Sequence, residues 1–390
     1  MDLRDSPSEA ALRADLRAWL DEQLPQLPPV PAPEDWEGRR RYDCAWQAKV
    51  HAAGYAGIHW PVEYGGRGAS PTEQLVFLEE IARAGAPNVG VNFVGLLHAG
   101  PTIGAEASAA QRAEHLPKIL AGDEVWCQGF SEPDAGSDLA SLRTKAVRDG
   151  DEYIVSGRKI WCSFAQVADW CELLVRTDPD APKHKGITWL MLDMTSPGIE
   201  ISPIRTALGS SEFSEVTFDE VRIPVANRVG AENDGWRVAM VTFAFERGTA
   251  FVGELVEAMA LVPRMAELAR LLGKWGDDGL RREIAHLAAE LDGLWALTKR
   301  NVSQAARTGV PGPGGSVLKL HYSELRQRMG DLAMRLLGPL GWLRADVGGL
   351  DVSHHVDEQL RALALTIGAG TSQIQRNIVA ERILGMPKER

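Results

Sequence analysis

Residues Trp126–Trp170, WCQGFSEPDAGSDLASLRTKAVRDGDEYIVSGRKIWCSFAQVADW, decide how this chain is read. Short β-prone runs stand around two glycine-bearing dipeptides, Asp149-Gly150 and Ser156-Gly157, whose turn chemistry predicts hairpins at both places. Strand-like runs continue through WCELLVRTD, GITWLMLDM and SEVTFDEVRIPV to about Val225, and the polar loop TDPDAPKHKG between two of them is expected to be exposed.

On either side of this block the pattern is helical. Ser6-Pro7-Ser8-Glu9 is a capping box with proline at the first helical position, after which Leu12, Leu16, Trp19 and Leu20 share a face. Ser70-Pro71-Thr72-Glu73 repeats the signal before EQLVFLEEIARAG, where Gly85 reads as the C-terminal cap, and Ser108 with Gln111 opens a further helix. The proline-rich LPQLPPVPAPEDW between the first two reads as a surface linker. After Gly235 the chain runs through long segments rich in Ala, Leu, Glu and Arg, broken at GKWGDDG, TGVPGPGGS and GPLGW. Helices, a β block, then helices make an α+β chain without regular βαβ alternation.

Composition narrows the function. The 390 residues exceed what one core usually organises. A formal charge of −11 argues against nucleic-acid binding, which draws on clustered Lys and Arg. The N-terminus has no basic start followed by an apolar core, so it does not read as a signal peptide, and no run approaches the roughly 18 apolar residues of a membrane span. The four cysteines form no CxxC pair and no metal-like cluster with histidine, which fits a reducing cytoplasm and no metal site. GxGxxG, GxxxxGK[ST] and HExxH are all missing.

Two segments of the opening stretch, SEPDAGSD and GRKIWCSFAQVADW, together with LTIGAGTSQIQRN at Leu365–Asn377 and the terminal QRNIVAERILGMP, resemble the acyl-CoA dehydrogenase family over nearly the whole chain. The resemblance implies an N-terminal helical domain (1–123), a middle β-barrel-like domain (124–232) and a C-terminal four-helix bundle (233–390), with FAD between the β domain and the bundle. It implies flavin contacts from Ser131, Trp161, Ser163, Thr371 and Gln373, with Trp161 as an aromatic wall and the serines as hydroxyl donors where the family usually has threonine. Ser137, Arg247 and the backbone N–H of Ala369 are the matching substrate contacts.

The family often has a glutamate base directly before the Gly-Thr of this signature; here that position is Ala369, which cannot take a proton. In members acting on branched or bulky chains the base sits in a Glu-Arg pair on the helix after the β domain. NDGWRVAMVTFAFERG matches that helix, so the resemblance puts the base at Glu246, with Phe243 and Phe245 to desolvate it. The implied reaction is α,β-dehydrogenation of a thioester of CoA or an acyl carrier protein, with electrons passed to an electron-transfer flavoprotein. The family's Arg-x-x-Phe-Gly segment is absent from LARLLGKWGDD, and its Q-x-x-G-G-x-G segment survives only as RLLGPLG. Both serve binding across a subunit interface, so homodimer, homotetramer and heterotetramer stay open, as do a non-catalytic subunit and a flavin oxygenase or oxidase of the same fold.

Overall fold

The computed structural model describes residues 4–249, 251–308, 312–343, 345–346, 349–350 and 352–388, leaving aside the side chains of 246–249. The helices are α1 (Pro7–Gln23), α2 (Trp36–Ala52), α3 (Pro71–Arg83), α4 (Gly100–Glu106) and α5 (Ala109–Ala121). Strands follow as β1 (Trp126–Gly129), β2 (Lys145–Asp149), β3 (Glu152–Ser163), β4 (Trp170–Arg176), β5 (Ile187–Asp193), β6 (Ile199–Ile204), β7 (Phe213–Pro224) and β8 (Arg228–Val229). Then come α6 (Gly235–Thr249), α7 (Val252–Leu271), α8 (Asp278–Thr308), α9 (Gly314–Leu337), α10 (Val352–Leu365) and α11 (Ser372–Ile378). The class is α+β.

Local signals set several boundaries. Ser6 donates its backbone N–H to Glu9 at 2.7 Å and caps the Glu9 N–H in return, which starts α1 at Pro7. Ser108 and Gln111 close the same reciprocal pair at the start of α5. Gly85 takes a left-handed φ of 64° just past α3. The proline-rich linker holds one short 3-10 turn, Leu24–Gln26.

Two compact units emerge, Met1–Glu22 with Pro71–Ala86 and Gly248–Arg390, and Gln23–Ser70 with Pro87–Arg247. The first is helical. Ile284, Leu287, Leu291 and Leu294 recur at alternating spacings of three and four along α8, and this stripe packs with Leu261, Met265 and Leu268 of α7 and Leu325, Met329 and Leu332 of α9. Arg13 of α1 reaches Glu79 at 3.0 Å and also pairs with Glu80, tying α1 to α3.

The second unit holds the sheet, ordered β6-β7-β3-β2-β4-β5-β8 with β1 lying parallel to β4. Asp149-Gly150 is the predicted hairpin turn between β2 and β3, with Gly150 at φ 61°. Ser156-Gly157 is not a turn. It lies within the twelve-residue β3 where the register against β7 slips between Val155 and Gly157, a bulge. Glycine is needed because a Cβ at 157 would stand 2.7 Å from the Thr144 Cα. A Ser-Gly pair carries the same local chemistry in a bulge as in a turn, and strand pairing selects the bulge.

Candidate functional site

The SEPDAGSD loop is fastened to β3 by a buried charge pair. Ser131 accepts the Ile160 N–H through its backbone carbonyl at 2.9 Å. The Glu132 carboxylate accepts N–H bonds from Arg143 (2.7 Å) and Thr144 (2.8 Å) and a third bond from the Lys159 ammonium at 2.9 Å. Lys159, fully buried, also donates to the Phe130 carbonyl at 3.0 Å. Burial pushes the Glu132 pKa up, but Lys159 and the Thr144 hydrogen bonds outweigh it and hold the carboxyl below its ordinary value. Glu132 and Lys159 stand within SEPD and GRKIW, and nothing local in the sequence pairs them.

This fastening sets Ser131 beside the end of β3, where the backbone is unusual. A second register slip falls between Lys159 and Cys162, and within it Trp161 adopts φ 62°, in the left-handed region that non-glycine residues rarely occupy. The bulge turns the Trp161 indole outward: it is 56% exposed, and among the described residues its one aromatic neighbour is the edge-on ring of Phe213 at 6.0 Å. Ser163 follows, flanked by a second left-handed residue, Phe164 at φ 58°. The half-buried Ser131 and Ser163 hydroxyls have no hydrogen-bond partner among the described residues. An open indole face with two uncommitted hydroxyls nearby suits a planar heteroaromatic ring with acceptors on its edge. Ser137, further along the loop, is exposed.

Helix α6 is docked on β5 by close backbone approach. A Cβ at Gly235 would lie 2.5 Å from the Thr188 and Trp189 backbones, and the Asn233 N–H donates to Thr188 Oγ1 at 3.0 Å. Further along, Thr242 exchanges a hydroxyl bond with Thr102 of α4 at 2.9 Å, and Phe243 meets Phe130 edge-on with ring centres 5.9 Å apart. Phe243 is half-buried and Phe245 exposed. The side chains of Glu246 and Arg247 lie outside the described residues; their backbone continues α6 one turn beyond Thr242 and Phe243.

The half-buried Gln128 joins two buried polar side chains, His98 and Glu172, in the same unit. Gln128 of β1 donates through Nε2 to Glu172 of β4 at 2.8 Å, and the same nitrogen is 3.2 Å from His98 Nδ1. His98 also packs edge-on against Phe93, and burial pushes its pKa down to about 4.

The remaining predicted residues belong to the helical unit. Ala369 holds φ 52° and Gly370 φ 83° in an exposed turn whose Ala369 N–H has no partner among the described residues. Thr371 caps α11 by accepting the Ile374 N–H at 3.2 Å, and Gln373 is exposed. The buried amide in this turn is Gln375, which donates to the Ala369 carbonyl at 3.1 Å.

Family models for the N-terminal, middle and C-terminal domains of acyl-CoA dehydrogenase match residues 6–123, 127–221 and 233–384. The chain belongs to the acyl-CoA dehydrogenase family. It is 39% identical to acyl-CoA dehydrogenase IpdE1 of Mycobacterium tuberculosis over 386 residues, 97% of each chain. Among solved structures it is similar to the ChsE4-ChsE5 complex from Mycobacterium tuberculosis and to the Tcur3481-Tcur3483 steroid ACAD. Each gives a TM-score of 0.84 and 32% identity over 100% of both chains. This acyl-CoA dehydrogenase is therefore an oxidoreductase and a flavoprotein whose cofactor is FAD. The open Trp161 face and the free hydroxyls of Ser131 and Ser163 fit the flavin ring. No described helix is long and apolar enough to cross a membrane.

Proposed function

We propose that the enzyme oxidises a branched or polycyclic acyl thioester to the 2,3-enoyl thioester, with Glu246 as the base. The Glu246 carboxylate takes the α proton, and the electron pair of that C–H bond forms the new double bond, while FAD would supply the acceptor for the β hydrogen and its electron pair. Ala369 N–H donates to the thioester oxygen and so acidifies the α C–H, a task that needs no side chain. Trp161 walls the ring, and Ser131 and Ser163 orient it through their hydroxyls. Thr371 and Gln373 add cofactor contacts, while Ser137 and Arg247 steady the thioester.

One observation carries this reading. The helix that holds Glu246 is anchored through Thr242 and Phe243 to Thr102 and Phe130, the latter adjacent to Ser131. That supports a carboxylate one turn on, near the flavin-side loop, at the end of a chain whose Ala369 has none. Anaerobic mixing with a panel of straight, branched and polycyclic acyl-CoAs tests it through flavin absorbance. Wild type is expected to bleach, and Glu246→Gln, with flavin still bound, to slow by about 10²–10⁴-fold. Equal bleaching by the variant sinks Glu246 as base.

The preference for bulky groups is supported by similarity to a protein called a steroid ACAD. CoA or an acyl carrier protein carries the thioester, and electrons leave to an electron-transfer flavoprotein. Pairing with a second, different chain in a heterotetramer is favoured over a homodimer or homotetramer: a similar solved structure is a ChsE4-ChsE5 complex, and the helical unit exposes Trp342 (89%), Ile367 (67%) and Leu384 (67%). The four cysteines are free thiols, in keeping with a cytoplasmic setting.

A further inference from the structure

In the polar trio of the sheet-bearing unit, the buried His98 has a nitrogen with no partner among the described residues. The Gln128 amide nitrogen carries two hydrogens, and its 2.8 Å contact with the Glu172 carboxyl fixes the nitrogen rather than the oxygen on this side. Its second hydrogen points to His98 Nδ1 at 3.2 Å, which makes Nδ1 the acceptor of that bond. The Glu172 carboxyl is 3.7 Å from Nδ1, beyond hydrogen-bond length. An uncharged imidazole that accepts at Nδ1 carries its proton on Nε2. That Nε2–H is buried and has no partner among the described residues. A buried donor left unmet is costly, and a ligand oxygen would satisfy it.

His98 is tied through hydrogen bonds to the helix that carries Glu246. Its carbonyl accepts the Thr102 hydroxyl at 2.8 Å, and Thr102 in turn bonds Thr242, one turn before Glu246. Its partner Gln128 is two residues before Phe130, the contact of Phe243, and three before Ser131. Phe93 supplies an apolar edge beside the imidazole.

We infer that His98 is a specificity residue whose Nε2–H receives a carbonyl or hydroxyl oxygen on the acyl group, away from the thioester. The substrate class is then an oxygenated ring acyl thioester rather than a pure hydrocarbon one. This rests on the dehydrogenase reading above and adds to it the polar group that the pocket selects. Gln128 and Glu172 act through His98 by fixing its tautomer.

The test compares kcat/KM of the flavin-loaded enzyme, in its native assembly, on 3-cyclohexylpropionyl-CoA and 3-(4-oxocyclohexyl)propionyl-CoA. Wild type is expected to prefer the ketone about tenfold, the worth of one buried hydrogen bond. In His98→Leu the ratio falls to near one, and in His98→Gln, which keeps a donor, part of the preference returns. A merely structural role for His98 would lower both rates together and leave the ratio alone. Lack of preference in wild type, or an unchanged ratio in His98→Leu, overturns the assignment. Should His98→Leu fail to fold, the wild-type ratio and His98→Gln still decide. Bleaching by neither thioester removes the ring acyl substrate, and the subsite with it, a pattern distinct from bleaching without preference and from failure of the whole acyl-CoA panel.

Discussion

Each of the two compact units buries acidic and basic side chains together, and they settle them in opposite ways. In the sheet-bearing unit, Glu132 and Lys159 meet each other and three backbone groups, so the carboxylate stays charged at a pKa below its ordinary value. In the helical unit, Glu254 and Glu257 of α7 face Arg326 of α9, whose guanidinium is already paired with Glu358 of α10. There Glu254 Oε2 and Arg326 Nε find no partner among the described residues, and burial pushes Glu254 up to about 7. Tyr322 nearby is pushed up by burial as well. Both carboxyls are pushed up by burial, and only at Glu132 are there enough partners to outweigh it.

The contrast breaks most visibly at Lys159. Lys159→Met leaves Glu132 buried and uncompensated, and is expected to cost about 3–5 kcal/mol of unfolding free energy and to release the flavin. Denaturant titration with flavin-to-protein ratios checks this; a loss under about 1 kcal/mol would make the pair incidental.

Next in size is the response to pH. Glu254, raised from about 4.5 to about 7 on folding, contributes stability that is fully present below pH 4.5 and lost as pH rises through 7. For Glu132 the sign is reversed: its contribution is present above the unfolded carboxylate value and is lost as pH falls through the lower folded one. Glu254→Gln should therefore abolish a decline of up to about 3 kcal/mol between pH 4.5 and 8 while the loss on further acidification persists. Melts of wild type and variant across that range would show it, and parallel curves would refute it.

The smallest effect sharpens the role of backbone strain. Trp161→Gly removes the indole and relieves a left-handed φ that costs about 1 kcal/mol or more, so flavin retention should drop while the flavin-free protein stays as stable or gains slightly. Unchanged FAD affinity would separate Trp161 from the flavin.

Much of this was written locally. The capping boxes at Ser6 and Ser108, the Asp149-Gly150 turn and the helix–strand–helix order all follow from side chains acting within a few residues of themselves, and so could be read directly. The motif residues Ser131, Trp161 and Ser163 were recognisable as letters. Their readiness was not, because the φ of Trp161 and the outward turn of its ring come from a bulge set by pairing with β7.

The same division holds for what reading along the chain missed. Ser156-Gly157 looks like a turn until a partner strand takes it into β3. Glu132 and Lys159 are 27 positions apart, and His98 meets Gln128 across 30, so no periodicity links them. By itself the sequence determined the family, the class of fold and the identity of the groups available for chemistry, since those rest on residue type and short-range geometry. Only the tertiary structure decided which buried charges are satisfied, which imidazole nitrogen is left without a partner among the described residues and which indole faces outward. Those properties depend on solvent exclusion and on partners brought together from distant parts of the chain.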